Sequence, residues 1–305
     1  MQTCCHSRML LSPQIRGRKM YEIMLLFMVA VLIAIFSASL GIGGGIFSVP
    51  VLIYVGSLHG IGQAYLAQMA VATSLLMAFV LSVSASYVNL RTRMVEIGIG
   101  LLFALGSVPG AFLGSIVGRF LNFQALTLLF GILVLAVGLF GLFKVWSKKR
   151  ATTVAAERGA GTGSDNPISK GSPSRIWLPV AGIFTGMLSS LTGVGGGVIM
   201  VPLMSLFLPG HGIHRSIATS NFSMVLVTLA GSIAYLDTRR LLPEPSVGFY
   251  YLPLALPVLA GAIIGGGLGA RLGKKVPEQH LKLFLAGLQI FIGARMLWKY
   301  SGLFG

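Results

Sequence analysis

The sequence predicts an all-α, polytopic membrane protein of eight transmembrane helices, arranged as two four-helix repeats with helices broken at glycine clusters. Three observations carry this reading. Long apolar runs are nearly free of charge, one set of motifs occurs twice in the same order, and each of the two longest runs holds a glycine cluster followed by a proline.

Only 10% of the 305 residues are charged, 55% are hydrophobic, and the mean hydropathy is +0.86. A soluble domain carries about 25% charged residues. The deficit excludes a water-facing surface and fits a chain whose solvent is mostly lipid. The formal charge of +16 does not indicate nucleic acid here, because the Lys and Arg residues sit mainly between apolar runs. Such placement is a topology signal. Cys4 and Cys5, the only cysteines, make neither a disulfide framework nor a metal site.

Apolar stretches of about 18 residues or more read as spans. They lie at Ile23–Leu58, Gly60–Leu90, Ile97–Gly118, Phe120–Phe143, Ile176–Gly210, Ser216–Leu236, Pro245–Ala270 and Glu278–Trp298. The first and fifth would exceed about 50 Å as continuous helix. Each contains a cluster, Gly41-Ile42-Gly43-Gly44-Gly45 before Pro50 and Gly193-Val194-Gly195-Gly196-Gly197 before Pro202. Glycine loosens helical backbone and proline removes a donor, so a span, a break and a shorter helix are expected at both places.

With eight spans and a cytoplasmic N-terminus, one side collects the tail, Arg91, Arg93, the linker, Arg239 and Arg240. The other receives only Arg119, Arg215, Arg271, Lys274 and Lys275. The positive-inside rule then places both termini in the cytoplasm and the protein in the cell membrane. The domain reading is a disordered tail (1–20), a first repeat (21–146), a flexible cytoplasmic linker (147–175) rich in Gly, Ser and charge, and a second repeat (176–305).

The repeat is visible residue by residue. GIGGGIFSVPVL at Gly41–Leu52 matches GVGGGVIMVPLM at Gly193–Met204. Ala72-Thr73-Ser74 matches Ala218-Thr219-Ser220, and PGAFLGSIVG at Pro109–Gly118 matches AGAIIGGGLG at Ala260–Gly269. Four spans per repeat is an even number, so the halves are expected to point the same way through the membrane, with substrate held between them.

A helix break frees backbone N–H groups, and the half-helix that follows presents a partial positive charge. Gly43, Gly44, Gly45, Gly195, Gly196 and Gly197 are therefore candidate backbone donors to a small anion. Close packing of the GxxxG pairs Gly41/Gly45 and Gly193/Gly197 is the alternative. Thr73, Ser74, Thr219, Ser220 and Asn221 are candidate side-chain donors, against the alternative that they bond back to their own helices. Gln68, His214 and Arg215 precede these elements and are candidate entrance residues.

No carboxylate occurs inside the first seven charge-free cores, since Glu96, Asp237 and Glu244 lie at ends. A buried proton relay is therefore hard to build. There is no metal motif, no nucleophile–base pair and no cofactor signature. Gly273-Lys274-Lys275 is not a phosphate loop, because Leu268 and Lys275 stand where glycine and Ser or Thr belong. The partners expected are a small anion, the lipid bilayer and, in an oligomer, further copies of the chain. An anion channel using the same glycine breaks is the alternative to a transporter.

The paired G-[IV]-G-G-G-x(4)-P motifs, the Ala-Thr-Ser elements and the PGAFLG/AGAIIG segments resemble the TauE/SafE, or sulfite exporter, family of permeases. The resemblance covers roughly Tyr21–Lys299. It implies a secondary transporter, generally an exporter, of sulfite, organosulfonates or related carboxylates. Gln68 departs from the family pattern, where a His-like residue such as His214 is usual.

Overall fold

The computed structural model describes residues 13–122, 176–207, 212–236 and 242–274 continuously, and parts of 124–143 and 277–298. The tail to residue 12 and the expected linker, 147–175, lie outside the described residues.

Eight helices are bounded here: α1 (Pro13–Leu40), α2 (Gly45–Leu58), α3 (Gln63–Arg91), α4 (Ile97–Phe120), α5 (Trp177–Thr192), α6 (Gly197–Phe207), α7 (Gly212–Ala234) and α8 (Leu252–Leu272). Further apolar helix runs through Gln124–Phe140. Five helices are long and apolar enough to cross a membrane: Met20–Leu40, Gln63–Arg91, Ile97–Phe120, His214–Ala234 and Leu252–Leu272. Three shorter apolar ones accompany them, at Gly45–Leu58, Gln124–Phe140 and Trp177–Thr192. The chain is thus an all-α polytopic membrane protein. Helix α1 begins at Pro13, so it takes in residues 13–20, which the sequence assigned to the tail.

The outside of the bundle is apolar and its interior is lined with small residues. Leu25, Met28 and Leu32 of α1, Leu105 and Leu113 of α4, Phe184 of α5, and Leu256 and Ile263 of α8 are exposed. In lipid this placement carries no penalty, and helix association depends instead on close packing. Two glycine seams supply it. Gly106, Gly110 and Gly114 of α4 lie against Pro179, Ile183 and Met187 of α5. Gly261, Gly265 and Gly269 of α8 lie against Ala30, Ala34 and Ala38 of α1. The four-residue step keeps each row on one helix face. In both seams the numbers rise together, so α4 is parallel to α5 and α8 to α1.

Contacts at the helix ends define two faces. On the first, Glu22 meets His59, His59 meets Tyr251, Tyr65 meets Phe249, and Phe249 meets Tyr235. On the second, Arg215 pairs with Glu96, and Lys274 donates to Thr92 Oγ1. Helix α1 therefore runs from the first face toward the second, and α2 returns to the first. Helix α3 goes back to the second face and α4 to the first. Helix α7 starts beside Glu96 on the second face and ends at Tyr235 on the first, antiparallel to α3. Helix α5, parallel to α4, also starts on the second face.

The segments that the sequence pairs, α1 with α5, α3 with α7 and α4 with α8, thus run in opposite directions. This corrects the expectation that both halves point the same way. The reason is physical: α2 does not stop beside the end of α1 but doubles back to the level of its start, adding one passage that hydropathy merges into a single long run.

A short hairpin, β1 (Ser246–Val247) and β2 (Tyr250–Tyr251), closes the first face in front of α8. Gly248 takes φ +58° in its turn. Tyr250 donates to Ser232 O at 2.6 Å and so ties the hairpin to the end of α7.

Candidate functional site

Both breaks form as the glycine clusters predict. Each helix ends with a glycine in the left-handed region, Gly41 (φ +67°) after α1 and Gly193 (φ +71°) after α5. The next amide reaches back to a serine carbonyl, Ile42 to Ser37 at 3.0 Å and Val194 to Ser189 at 3.2 Å. This is the Schellman end that a glycine at that position favours. Gly43, Gly44, Gly195 and Gly196 then all adopt positive φ, between +78° and +90°. Side chains rarely tolerate such a run.

The two loops cross against each other. A Cβ on Gly45 would overlap Gly193 O, one on Gly197 would overlap Gly41 O, and Gly43 lies over Val194 and Gly195. The crossing is fully buried and sits beside the middles of α3 and α7. Val71 and Ala78 of α3 touch Gly193 and Gly195, while Ile217 and Met224 of α7 touch Gly41 and Gly43. The packing alternative read from the sequence holds at four of these glycines. Gly41, Gly45, Gly193 and Gly197 are required by close packing. Among the described residues, the amides of Gly43, Gly44, Gly195 and Gly196 have no backbone acceptor. Free amides at the start of a helix are donors toward an anion.

The Thr-Ser elements divide. Ser74 donates to Gly193 O at 2.7 Å and lies 2.7 Å from Ser48 Oγ. It is committed to holding the second loop. Thr73 Oγ1 points back at Met69 Sδ, and Thr219 Oγ1 accepts from the Glu96 amide at 3.1 Å. Ser220 and Asn221 are different. Both are wholly buried, and Ser220 Oγ, Asn221 Nδ2 and Asn221 Oδ1 have no hydrogen-bond partner among the described residues. Two residues outside the sequence reading join them. Ser37 and Ser189 are buried beside Gly44 and Gly196, their hydroxyls unpartnered among the described residues. A serine four residues before each cluster was the available signal.

The entrance candidates separate to opposite faces. Gln68 donates to Leu121 O at 2.7 Å on the first face. His214 and Arg215 lie on the second, where Arg215 bonds Glu96 Oε1 at 2.8 Å. There His214 lines an open crevice with Ser39, Asn89, Met94, Ile217 and Lys274. Partial burial pulls the Lys274 amine down from its usual range. Ile217 also touches Gly41, so the crevice ends close to the loop crossing. Among the described residues no group of three His, Cys, Asp or Glu could hold a metal.

Apolar exterior, interrupted helices and a buried crossing with unpaired amides define a polytopic helical membrane protein with a polar centre. The family model described as Sulfite exporter TauE/SafE matches residues 26–296, and the chain belongs to this family of membrane transporters. It is 29% identical over 269 residues to the probable membrane transporter protein YunE of Bacillus subtilis, covering 87% of this chain and 93% of that one. It is 26% identical over 277 residues to a probable membrane transporter protein of Methanocaldococcus jannaschii, covering 90% and 94%. A probable membrane transporter protein of Haemophilus influenzae is 26% identical over 288 residues, covering 91% and 98%. No solved structure matches the chain.

Proposed function

We propose that the chain is a secondary transporter, working as an exporter, of small anions such as sulfite, organosulfonates or related carboxylates, and that the crossed glycine loops are its substrate site. The observation that carries this is the set of unpaired amides at Gly43, Gly44, Gly195 and Gly196, buried where two interrupted helices meet. Backbone donors hold an anion without a permanent counter-charge, which lets the empty site stay neutral. An inside-negative potential favours expelling one negative charge by about 2.3 kcal/mol per 100 mV, so export needs no coupled ion.

Two repeats of inverted orientation fit this role better than the eight parallel-repeat spans read from sequence. The support is the matched exchange of partners: α1 packs along α8 as α5 packs along α4, and each loop rests on its counterpart. Inverted repeats suit alternating access, since each half can open toward one face. The second face carries Arg91, Arg93, Arg215, Arg271 and Lys274 and receives the chain from the basic linker. The positive-inside rule then puts that face in the cytoplasm. Helix α1 consequently starts outside, in place of the cytoplasmic N-terminus expected from the sequence.

Purified protein in liposomes loaded with sulfite tests the function. Efflux that saturates with concentration and stops in Gly44→Ala supports it. No efflux of any small anion removes it, and single-channel conductance in a planar bilayer would turn the reading to a channel.

A further inference from the structure

We infer that the crossing holds a single anion, on the side of the first loop, and that Asn221 selects an oxyanion carrying a hydrogen to donate. This deepens the transport reading and rests on it. The two loops are alike in backbone but not in what faces them. Val71 and Ala78 touch the second loop, and Leu75 lies between them on the same stripe of α3, its side chain reaching Gly231 of α7. Ile217 and Met224 touch the first loop, so Asn221 faces that one. The residues match in position and differ in chemistry: Leu75 is buried and apolar, Asn221 buried and polar.

The neighbours differ in the same sense. Ser74 is consumed by Gly193 O and by Ser48. Its counterpart Ser220 has no partner among the described residues, and Met200 stands where Ser48 would. The second loop is therefore held from α3 through Ser74, while α7, which packs on the first loop through Ile217 and Met224, carries two buried polar side chains with no partner among the described residues. A wholly buried amide without partners lowers stability. A ligand that bonds to it is the gain that offsets this.

The donor and acceptor count defines the ligand. The amides of Gly43 and Gly44, Asn221 Nδ2 and the Ser220 hydroxyl can all donate to oxygens. Asn221 Oδ1 can only accept. A fully deprotonated dianion such as sulfate offers it nothing, and its second charge finds no cation here. A singly protonated oxyanion such as bisulfite, or an oxyanion with a nearby hydroxyl or ammonium, satisfies every group.

The test is calorimetric titration of the full chain in nanodiscs with bisulfite at mildly acidic pH and, separately, with sulfate. One bisulfite per chain is expected, with sulfate weaker by about tenfold or more. Asn221→Leu should weaken bisulfite by about tenfold or more, yet leave the unfolding temperature unchanged or raised, and Asn221→Val serves if leucine misfits. Leu75→Asn should bind as the parent does. Two sites per chain, equal affinity for sulfate, or unchanged binding in Asn221→Leu would overturn the inference while leaving the transport reading standing if Gly44→Ala still blocks flux. A parent protein that binds and moves no anion would remove the transport reading itself.

Discussion

Replacing Gly44 by alanine separates the two roles of the first loop. A Cβ at Gly44 would meet its nearest heavy atoms at ordinary contact distances, Ser37 Oγ at 3.7 Å and the tips of Leu81 and Met77 at 3.9 Å. The main cost is backbone: φ is +78°, and a side chain in that region costs about 1–2 kcal/mol. Alanine at Gly45 is a different case, because its Cβ would overlap Gly193 O in the opposing loop. The loops would have to part, and overpacking of this kind costs about 1–3 kcal/mol or more. Gly44→Ala should therefore remain folded, with an unfolding temperature only a few degrees below the parent, roughly as about 1–2 kcal/mol implies for a chain of this size. Its methyl nevertheless occupies the space beside the free amide, so sulfite efflux should fall at least about tenfold, as for loss of one charge-assisted hydrogen bond. Gly45→Ala should lose both folding stability and efflux. Thermal unfolding in detergent and efflux from liposomes give the two readouts. Gly44→Ala with parental efflux would refute the argument that this amide faces substrate.

Three further outcomes follow from the same geometry. Gly110→Val places a branched side chain against Ile183 O in the α4–α5 seam, so it should cut the yield of folded protein while the same change at Gly98, which has nothing nearby, should not; monodisperse size-exclusion yield checks this. Lys274→Met, in the crevice on the second face, should raise the substrate concentration for half-maximal efflux with little change in maximal rate, measured in liposomes; an unchanged concentration dependence would detach the crevice from the path. Cys4 and Cys5, the only cysteines, should react with a membrane-impermeant maleimide on right-side-out spheroplasts; protection until lysis would reverse the assigned orientation.

Much of this architecture is legible in the residues, and what is not has definite causes. Glycine clusters before Pro50 and Pro202 announce interrupted helices, because few other residues accept three left-handed positions within four residues. The path of α2 is not legible. Hydropathy measures length, and a 14-residue apolar helix joined to α1 by four residues reads as one continuous run. The return shows in the meeting of His59 with Glu22 and with Tyr251. The orientation of the halves depends on that single passage. The small residues of PGAFLGSIVG and AGAIIGGGLG signal packing, but not which helices meet or that they run parallel.

The candidate site divides along a similar line. Ala72-Thr73-Ser74 and Ala218-Thr219-Ser220 are identical in sequence, so nothing local separates them. Ser74 is occupied because Ser48 and Gly193 O lie within reach, and Ser220 is free because Met200 replaces that serine. Gln68 and His214 precede matching motifs yet lie on opposite faces, a consequence of the inversion.

The most direct measurement is the anomalous scattering of crystals of the full chain equilibrated with selenite, the heavier analogue of sulfite. One selenium peak is expected within hydrogen-bonding reach of the Gly43 and Gly44 amides and the Asn221 side chain. A peak confined to the crevice at Lys274, with none at the crossed loops, would contradict it.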